Sequence, residues 1–569
     1  MQTFQSQRCL LLLLPLVFAP MQARALRPGD ILGETNSPGH CPMGATFDGK
    51  SLWVVDRKAN KLFRIDPVSA KVIGELPTPG QRPTGLTWDG RHLWIADRDE
   101  QEIFRLDPKT GIVDRVFKVD VKSPRGMAWD GECLYLASGK DDVINCLDPD
   151  DGTLMRRFPA PASAVTGLAF DGKYLWAADR DHDELYRIDP REGHVIGILK
   201  SPGPHPFGLA WDGKRLWNVD YQNQKIYVLN VSKGDAILRR DQKSLRIDYT
   251  IHFQNQGPDP ISQADFYIAV PENRYNQEII RGPSFSPSDV EFHTNRWKQK
   301  VAHLKSSDIQ AGKSLEFRMS VDIKLYKTSF WIQPDKVRPL GTIPKAIRKD
   351  YLANNSKYRL NNPEVRKAVR LAVGSETNPY WIARKIYQFV LGKLDYKLSG
   401  GWDPVPLLLE RGTGSCSEYS FVLIALCRAA GIPARYVGGV VTRGDDAYVD
   451  NVFHRWVEIF LPGYGWIPVD PDRGDKKTPR GQALGFGNQD NTLLVTTVSG
   501  GESKYLGWKY NGNVAWSFRG RTRVYVENIG ELSPIDRDSD SPPAIKGPDS
   551  GEVSPPKGRE KGAADAKQP

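Results

Sequence analysis

Three side chains in the last third of the sequence have the types and spacing to attack a carbonyl carbon. The stretch Gly412-Thr-Gly-Ser-Cys416-Ser-Glu-Tyr sets a cysteine between a Gly/Ser turn and an apolar run, Ser417 to Ala430, that stops at Gly431-Ile-Pro433. This pattern predicts a helix ended by a C-cap glycine, with a proline shortly beyond. Cys416 then sits at the helix amino end, where unsatisfied amides and the helix dipole favour the thiolate, the nucleophilic form. Downstream, Asn451-Val-Phe-His454-Arg-Trp456-Val-Glu-Ile-Phe460 reads as a strand with His454 and Trp456 on one face. After the turn Pro462-Gly-Tyr-Gly465, a second strand, Trp466-Ile-Pro-Val-Asp470, ends in a carboxylate. Adjacent strands joined by so short a turn can set His454 beside Asp470 while Cys416 takes the other imidazole nitrogen. The set is a nucleophile, its base and the group that orients the base.

Singly, each residue has a plainer reading. A cysteine ahead of an apolar helix is most often a small buried hydrophobe, and Cys427, in the middle of the same helix, is assigned that role. Asp470-Pro471 alone would be a turn, as Asp-Pro is elsewhere in this chain. The chemical reading rests on the three together.

The elements that hold them belong to a chain of 569 residues, long enough for several domains, with 15 Trp and 52 Gly hinting at β-rich architecture. Arg8, an apolar run from Cys9 to Ala19, and Ala23-Arg24-Ala25 have the order of a secretory signal peptide over residues 1–25, cut before Leu26. A secreted or periplasmic location is expected, with no transmembrane segment, since that run is too short to span a bilayer. The net charge of +10 is scattered without a dense basic block, so nucleic-acid binding is not expected. Beyond Cys9 five cysteines remain, an odd number, leaving at least one thiol unpaired in an oxidising compartment.

Asp-Gly recurs at 48-49, 89-90, 130-131, 171-172 and 212-213, every 41 residues, followed by Leu-Trp or Leu-Tyr in each copy. Around each Asp-Gly turn lie short apolar segments, such as Pro83–Trp88 and His92–Ala96, and Asp-Pro marks a second turn. Four short strands per repeat make a propeller blade. The fifth repeat supplies only three, through Lys225–Leu229, and Gly29–Glu34 matches the fourth-strand segment Ala70–Glu75, so the amino-terminal segment is expected to close the ring. One repeat back, Cys133 aligns with His92 and Cys146 with Arg105, positions expected to face each other in a hairpin and to form a disulfide. Residues 233–345 alternate with period two, as in Leu245–Phe253 and Leu315–Val321, and predict a β-sandwich of immunoglobulin-like size. Helical signals follow, with Asn362-Pro363 and Asn378-Pro379 as capped starts. From about Glu531 the composition becomes that of a disordered tail. The expected order is a leader at 1–25, a five-bladed propeller at 26–232, a sandwich at 233–345, a cysteine domain at 346–530 and a tail at 531–569.

The repeats resemble NHL/YVTN-type propellers, a group that includes virginiamycin-lyase-like proteins. Gly414-Ser-Cys416-Ser-Glu-Tyr, Arg428-Ala-Ala-Gly-Ile-Pro-Ala-Arg435, His454-Arg-Trp-Val-Glu458 and Gly465-Trp-Ile-Pro-Val-Asp470-Pro resemble the transglutaminase-like superfamily over about 360–500. That resemblance implies an α+β papain-like domain with Cys416 as nucleophile, His454 as general base and Asp470 as its orienter. Ser417-Glu418 stands where many bacterial members have Arg-Asp. Trp402 is either an oxyanion or wall residue, or a core or lid aromatic. The acidic calcium pattern of animal transglutaminases is missing, so no metal and no cofactor are expected. The implied chemistry is a thioester acyl-enzyme formed on amide bonds of a protein or peptide, with water or an amine as acceptor and the propeller as a recognition module for a protein or envelope polymer. A different class of reading is a non-catalytic envelope scaffold with a vestigial cysteine domain. Chemistry in the propeller is disfavoured because His40, His182 and His205 fall at different repeat positions.

Overall fold

The structure, a computed structural model, describes residues 26–232, 236–398, 401–442 and 447–535. The expected leader and residues 536–569 of the expected tail lie outside the described residues. No described helix is long and apolar enough to cross a membrane.

The repeat folds as five four-stranded antiparallel sheets. In the first, Pro42–Phe47, Leu52–Asp56, Lys61–Ile65 and Val72–Pro77 lie side by side. The spacing of Asp and Trp has a mechanical reason. One carboxylate oxygen of Asp48 accepts the Ser51 amide at 2.6 Å and the other accepts the Trp53 indole N–H at 2.8 Å, pinning the turn to the next strand. The clamp recurs from Trp94, Trp176 and Trp217 to Asp89, Asp171 and Asp212, and in the third blade the Tyr135 hydroxyl donates to Asp130 at 2.9 Å. The turn glycines adopt φ of +89° to +106°, which side chains resist. A second periodic glycine, at 44, 85, 126, 167 and 208, lies in the innermost strands, which crowd the axis. A Cβ on Gly167 would stand 1.8 Å from the Phe207 carbonyl oxygen of the next blade.

The fifth blade is closed by Ile31–Asn36, antiparallel to Lys225–Leu229, with Ile31 opposite Leu229 and Asn36 opposite Lys225. Ile31 pairs as the repeat alignment predicts, whereas a register shift between Ile31 and Gly33 takes Leu32 out of the ladder. Cys133 and Cys146 are joined, with Cα atoms 5.5 Å apart. They meet diagonally, because Cys146 stands opposite Tyr135 in the ladder.

Ile237–Pro258 is a single strand of 22 residues whose alternate residues Leu245, Ile247, Tyr249, Ile251 and Phe253 form one wall of the sandwich core. It pairs with Ser314–Phe330 on one side. On its other side lies Thr522–Pro534, from Leu245 opposite Pro534 to Pro258 opposite Thr522. The facing sheet likewise takes Gly512–Phe518 beside Ile261–Ala269. The sandwich therefore draws strands from beyond the expected limit at 345, and the chain remains in a strand past the expected tail start at 531. Without them the long central strand would lack a neighbour.

The cysteine region between these strands sets helices against a sheet in the order Gly465–Val469, His454–Leu461, Ala434–Val441, Leu493–Ser499. It is bolted to the propeller by cations, two of them buried and one, Arg480, half-buried. Arg187 lies 4.4 Å from the Trp331 ring centre and donates to the Ile332 carbonyl, Arg384 donates to Val195 O at 2.8 Å, and Arg480 forks onto Glu184 at 2.7 and 3.1 Å.

The crowded propeller axis predicts that Gly167→Ala lowers the free energy of unfolding by roughly 3 kcal/mol in denaturant titration. Gly33→Ala, on the closing strand where no atom lies within 4 Å of the added carbon, should be neutral.

Candidate active site

Cys416 is the first residue of the Cys416–Ala429 helix. Ser415 and Glu418 form a reciprocal capping box, the Glu418 carboxylate accepting the Ser415 amide at 2.8 Å. Gly414 is required beside it, because a Cβ there would come 2.4 Å from that of Glu418. The helix is buried from Ser417 to Arg428, Cys427 included, and burial pushes the Cys427 thiol up, out of reach of ionisation. Cys416 is only partly covered.

The Ser420 hydroxyl, one turn into the helix, lies 2.7 Å from the Cys416 carbonyl and 3.3 Å from the Arg455 carbonyl. It thus joins the helix start to the His454–Leu461 strand. Arg455, the next residue after His454 on that strand, is fully buried. Its guanidinium lies among Trp402, Phe421, Tyr436 and Tyr510, with ring centres 4.5 to 5.4 Å away, and donates to the Trp508 carbonyl. Trp402 therefore packs on the neighbour of His454.

The structure brings the three sequence-selected side chains together. His454 Nε2 and Asp470 Oδ2 are 2.7 Å apart, and the Cys416 sulfur is near enough to favour charge on the same imidazole. The Asp470–imidazole bond leaves Nδ1 as the ring nitrogen for the sulfur. Trp456 stacks on the imidazole with centroids 5.6 Å apart and planes 18° apart, fixing the ring plane. Asp470 is buried and also accepts the Arg473 amide at 3.1 Å. Burial opposes charge on His454, but the Asp470 carboxylate and the Cys416 sulfur outweigh it and hold the imidazole well above its ordinary range. The same pairing outweighs burial at Asp470, whose carboxyl is held below its ordinary range.

A fourth residue, Asp472, went unrecognised in the sequence. Its Oδ2 lies 3.8 Å from His454 Nδ1, and burial together with the Asp470 charge raises its carboxyl to about 6. In Asp470-Pro-Asp472 it reads as turn composition, and only the fold around Pro471 turns it towards the ring. His454, Asp470 and Asp472 are close enough to ligate an ion. Here His454 Nε2 and Asp470 are committed to each other.

Two further motif residues have structural work. Glu458, fully buried, receives Arg435 through two bonds of 2.9 and 2.7 Å, the Tyr275 hydroxyl at 3.0 Å, and Arg274. Burial would raise its carboxyl, but the two guanidinium groups hold it at about 2.

Residues 349–471 match the family model of the transglutaminase-like superfamily. A protein-glutamine gamma-glutamyltransferase of Pseudomonas aeruginosa is 24% identical over 286 residues, 47% of this chain and 38% of the relative. An uncharacterized protein of Bacillus subtilis, YebA, is 34% identical over 77 residues, 12% of this chain and 10% of its own. The chain thus spans between a tenth and two-fifths of these curated relatives. Among solved structures, a candidate cysteine protease from Cytophaga hutchinsonii is 16% identical, with a TM-score of 0.39 covering 53% of this chain and 94% of that one. Residues 349–471 are a domain of the transglutaminase-like superfamily of cysteine-dependent amide-bond enzymes, carried on a chain that also builds a five-bladed propeller and a β-sandwich.

Proposed function

We propose that the protein is a thiol enzyme of amide bonds, with Cys416 as nucleophile, His454 as general base and acid, and Asp470 as the carboxylate that orients and charges the imidazole. The observation that carries this reading is the 2.7 Å His454–Asp470 bond on an imidazole whose charge the sulfur of Cys416, at a helix amino end, also favours. Thiolate Sγ attacks the amide carbonyl carbon of a protein or peptide substrate, and the His454 imidazolium gives its proton to the departing nitrogen as the C–N bond breaks. The thioester is then cleaved by an acceptor that His454 deprotonates. Water yields a carboxylic acid and an amine yields a new amide, and sulfur leaves as thiolate in both. The name of the Pseudomonas relative supports a glutamine side chain as acyl donor and an amine as acceptor.

The protein is further proposed to work outside the cytoplasm, which the Cys133–Cys146 disulfide supports. The propeller is proposed as the module that recognises the protein or envelope-polymer partner.

Incubation with a glutamine-rich protein and a fluorescent primary amine should give amine incorporation by acyl transfer, or free ammonia alone by hydrolysis. Cys416→Ser should lower either product at least 1,000-fold while changing unfolding free energy by less than about 1 kcal/mol. Undiminished turnover in that variant would overturn the assignment.

Iodoacetamide at neutral pH should label Cys416 at least ten times faster than Cys427 in the folded chain, read by peptide mapping. Similar rates would remove the thiol's special status.

Asp472 gives a pH signature. The folded chain keeps its proton up to about pH 6, whereas the unfolded chain releases it in the ordinary aspartate range. Folding therefore binds a proton between those values, and stability falls by roughly 3 kcal/mol as pH rises through them. Asp472→Asn should be more stable than wild type above pH 6, with the difference vanishing towards pH 4 in paired denaturant titrations.

A further inference from the structure

Away from the cysteine site, on the sandwich sheet formed by Glu291–Thr294, Lys300–Ile309, Ile261–Ala269 and Gly512–Phe518, strand register gathers a second set of chemically capable residues. Glu291 pairs across the ladder with His303, and His303 pairs on its other side with Tyr267. Residues two apart on a strand share a face, so His293 joins Glu291, and Asp265 joins Tyr267. The result is two imidazoles and a carboxylate on one face, with a second carboxylate behind them.

The atoms converge. His293 Nε2 lies 3.1 Å from His303 Nδ1, and Glu291 Oε2 lies 3.6 Å from the first and 3.7 Å from the second. A triangle with these edges has a circumscribed radius of about 2.0 Å, which matches Zn–N and Zn–O bonds of ~2.0–2.2 Å. An ion seated slightly above that plane meets three ligands at bonding distance and keeps an outer position for water. The remaining ring nitrogen of His303, Nε2, lies 2.9 Å from Asp265 Oδ1, the carboxylate–histidine arrangement that fixes a ligating tautomer. Both imidazoles are held in place. His303 stacks on Tyr267 with centroids 4.6 Å apart and planes 16° apart, and His293 stacks on Tyr505 at 5.0 Å and 11°. Glu291 is exposed, which leaves a path for the ion.

We propose that Glu291, His293 and His303 form a binding site for a divalent transition-metal ion, zinc by its nitrogen-rich donor set and tetrahedral spacing, with Asp265 orienting His303 and water as fourth ligand. No metal was expected on the ground that the acidic calcium pattern is missing; this set went unseen, because Glu291-Phe-His293 is a short signature and His303 joins it only through ladder register. Tyr505 follows the Leu493–Ser499 strand of the cysteine domain, so an ion here would stiffen the contact through which the sandwich meets the segment leaving that domain. The proposal stands apart from the reading of Cys416.

The test uses the full chain carrying Cys416→Ser, so that zinc on the thiol cannot score. Titration against a chromophoric zinc chelator should give one bound ion per chain, and cobalt(II) in its place should give the visible absorption of a four-coordinate ion with nitrogen and oxygen donors. His293→Ala and His303→Ala should each weaken zinc at least 100-fold, and Asp265→Asn 10- to 100-fold. Glu291→Gln, at an exposed position where folding is not at risk, should weaken it about tenfold and alter the cobalt spectrum. Less than one equivalent bound at micromolar zinc would overturn the proposal. So would zinc retained in His303→Ala and Glu291→Gln, or zinc lost in Asp472→Asn instead, which would place it in the cysteine domain.

Discussion

The sheet that carries His454 depends on a carboxylate shut away from solvent. Glu458 is fully buried four residues along the strand that starts at His454, and two guanidinium groups reach it from different directions, Arg435 from the neighbouring strand and Arg274 from the sandwich. Burying three ionised groups is costly, and removing one partner from such a set leaves a charge stranded at ~3–5 kcal/mol. The arrangement therefore tolerates one register between the two strands and one seat of the sandwich beside them. Arg435 is fixed further by Trp466, whose ring centre lies 3.8 Å from its guanidinium carbon. The two strands that carry His454 and lead to Asp470 are thus fastened together a short way from the imidazole, and the same fastening reaches out of the domain.

From that frame the site needs few additional parts. The capping box sets where the helix begins, Ser420 ties its first turn to the histidine strand, and Trp456 fixes the ring plane. Arg455 has no exposure and touches four aromatic rings, so the backbone next to His454 has little freedom. The imidazole and its carboxylate are thus held at hydrogen-bonding distance by packing and hydrogen bonds from groups outside the set itself.

Much of this was legible in the sequence where the signal was local or repeated. The 41-residue period identified the blades because each copy carries its own turn and its own Asp–Trp clamp. Cys416 was legible because helix starts and stops are written within a few residues, and His454 and Asp470 because one short turn separates their strands. What escaped was set by pairing between distant segments. Gly512–Phe518 and Thr522–Pro534 alternate like ordinary strands, but nothing in them names Ile261–Ala269 and Ile237–Pro258 as neighbours. Asp472 was hidden in a turn, and the Glu291, His293 and His303 set exists only once a ladder register is known. The diagonal meeting of Cys133 and Cys146 shows the same limit at one residue's resolution: the hairpin was legible, its offset was not.

Ring closure by the Ile31–Asn36 strand also orders events during synthesis. Glu34 and its ion-pair partner Lys225 are 191 residues apart, so the first strand to be made is among the last of the propeller to find its place. The sandwich repeats the delay, since Asn255 waits for Thr522, 267 residues later. Such non-local contacts form slowly, and until they form the growing chain carries two open sheet edges. The cysteine domain lies in sequence between the halves of the sandwich and is anchored to both earlier modules. The seat of that domain is therefore a late product of assembly, and a chain interrupted before residue 522 would carry Cys416, His454 and Asp470 beside a sandwich whose central strand lacks its Thr522–Pro534 neighbour.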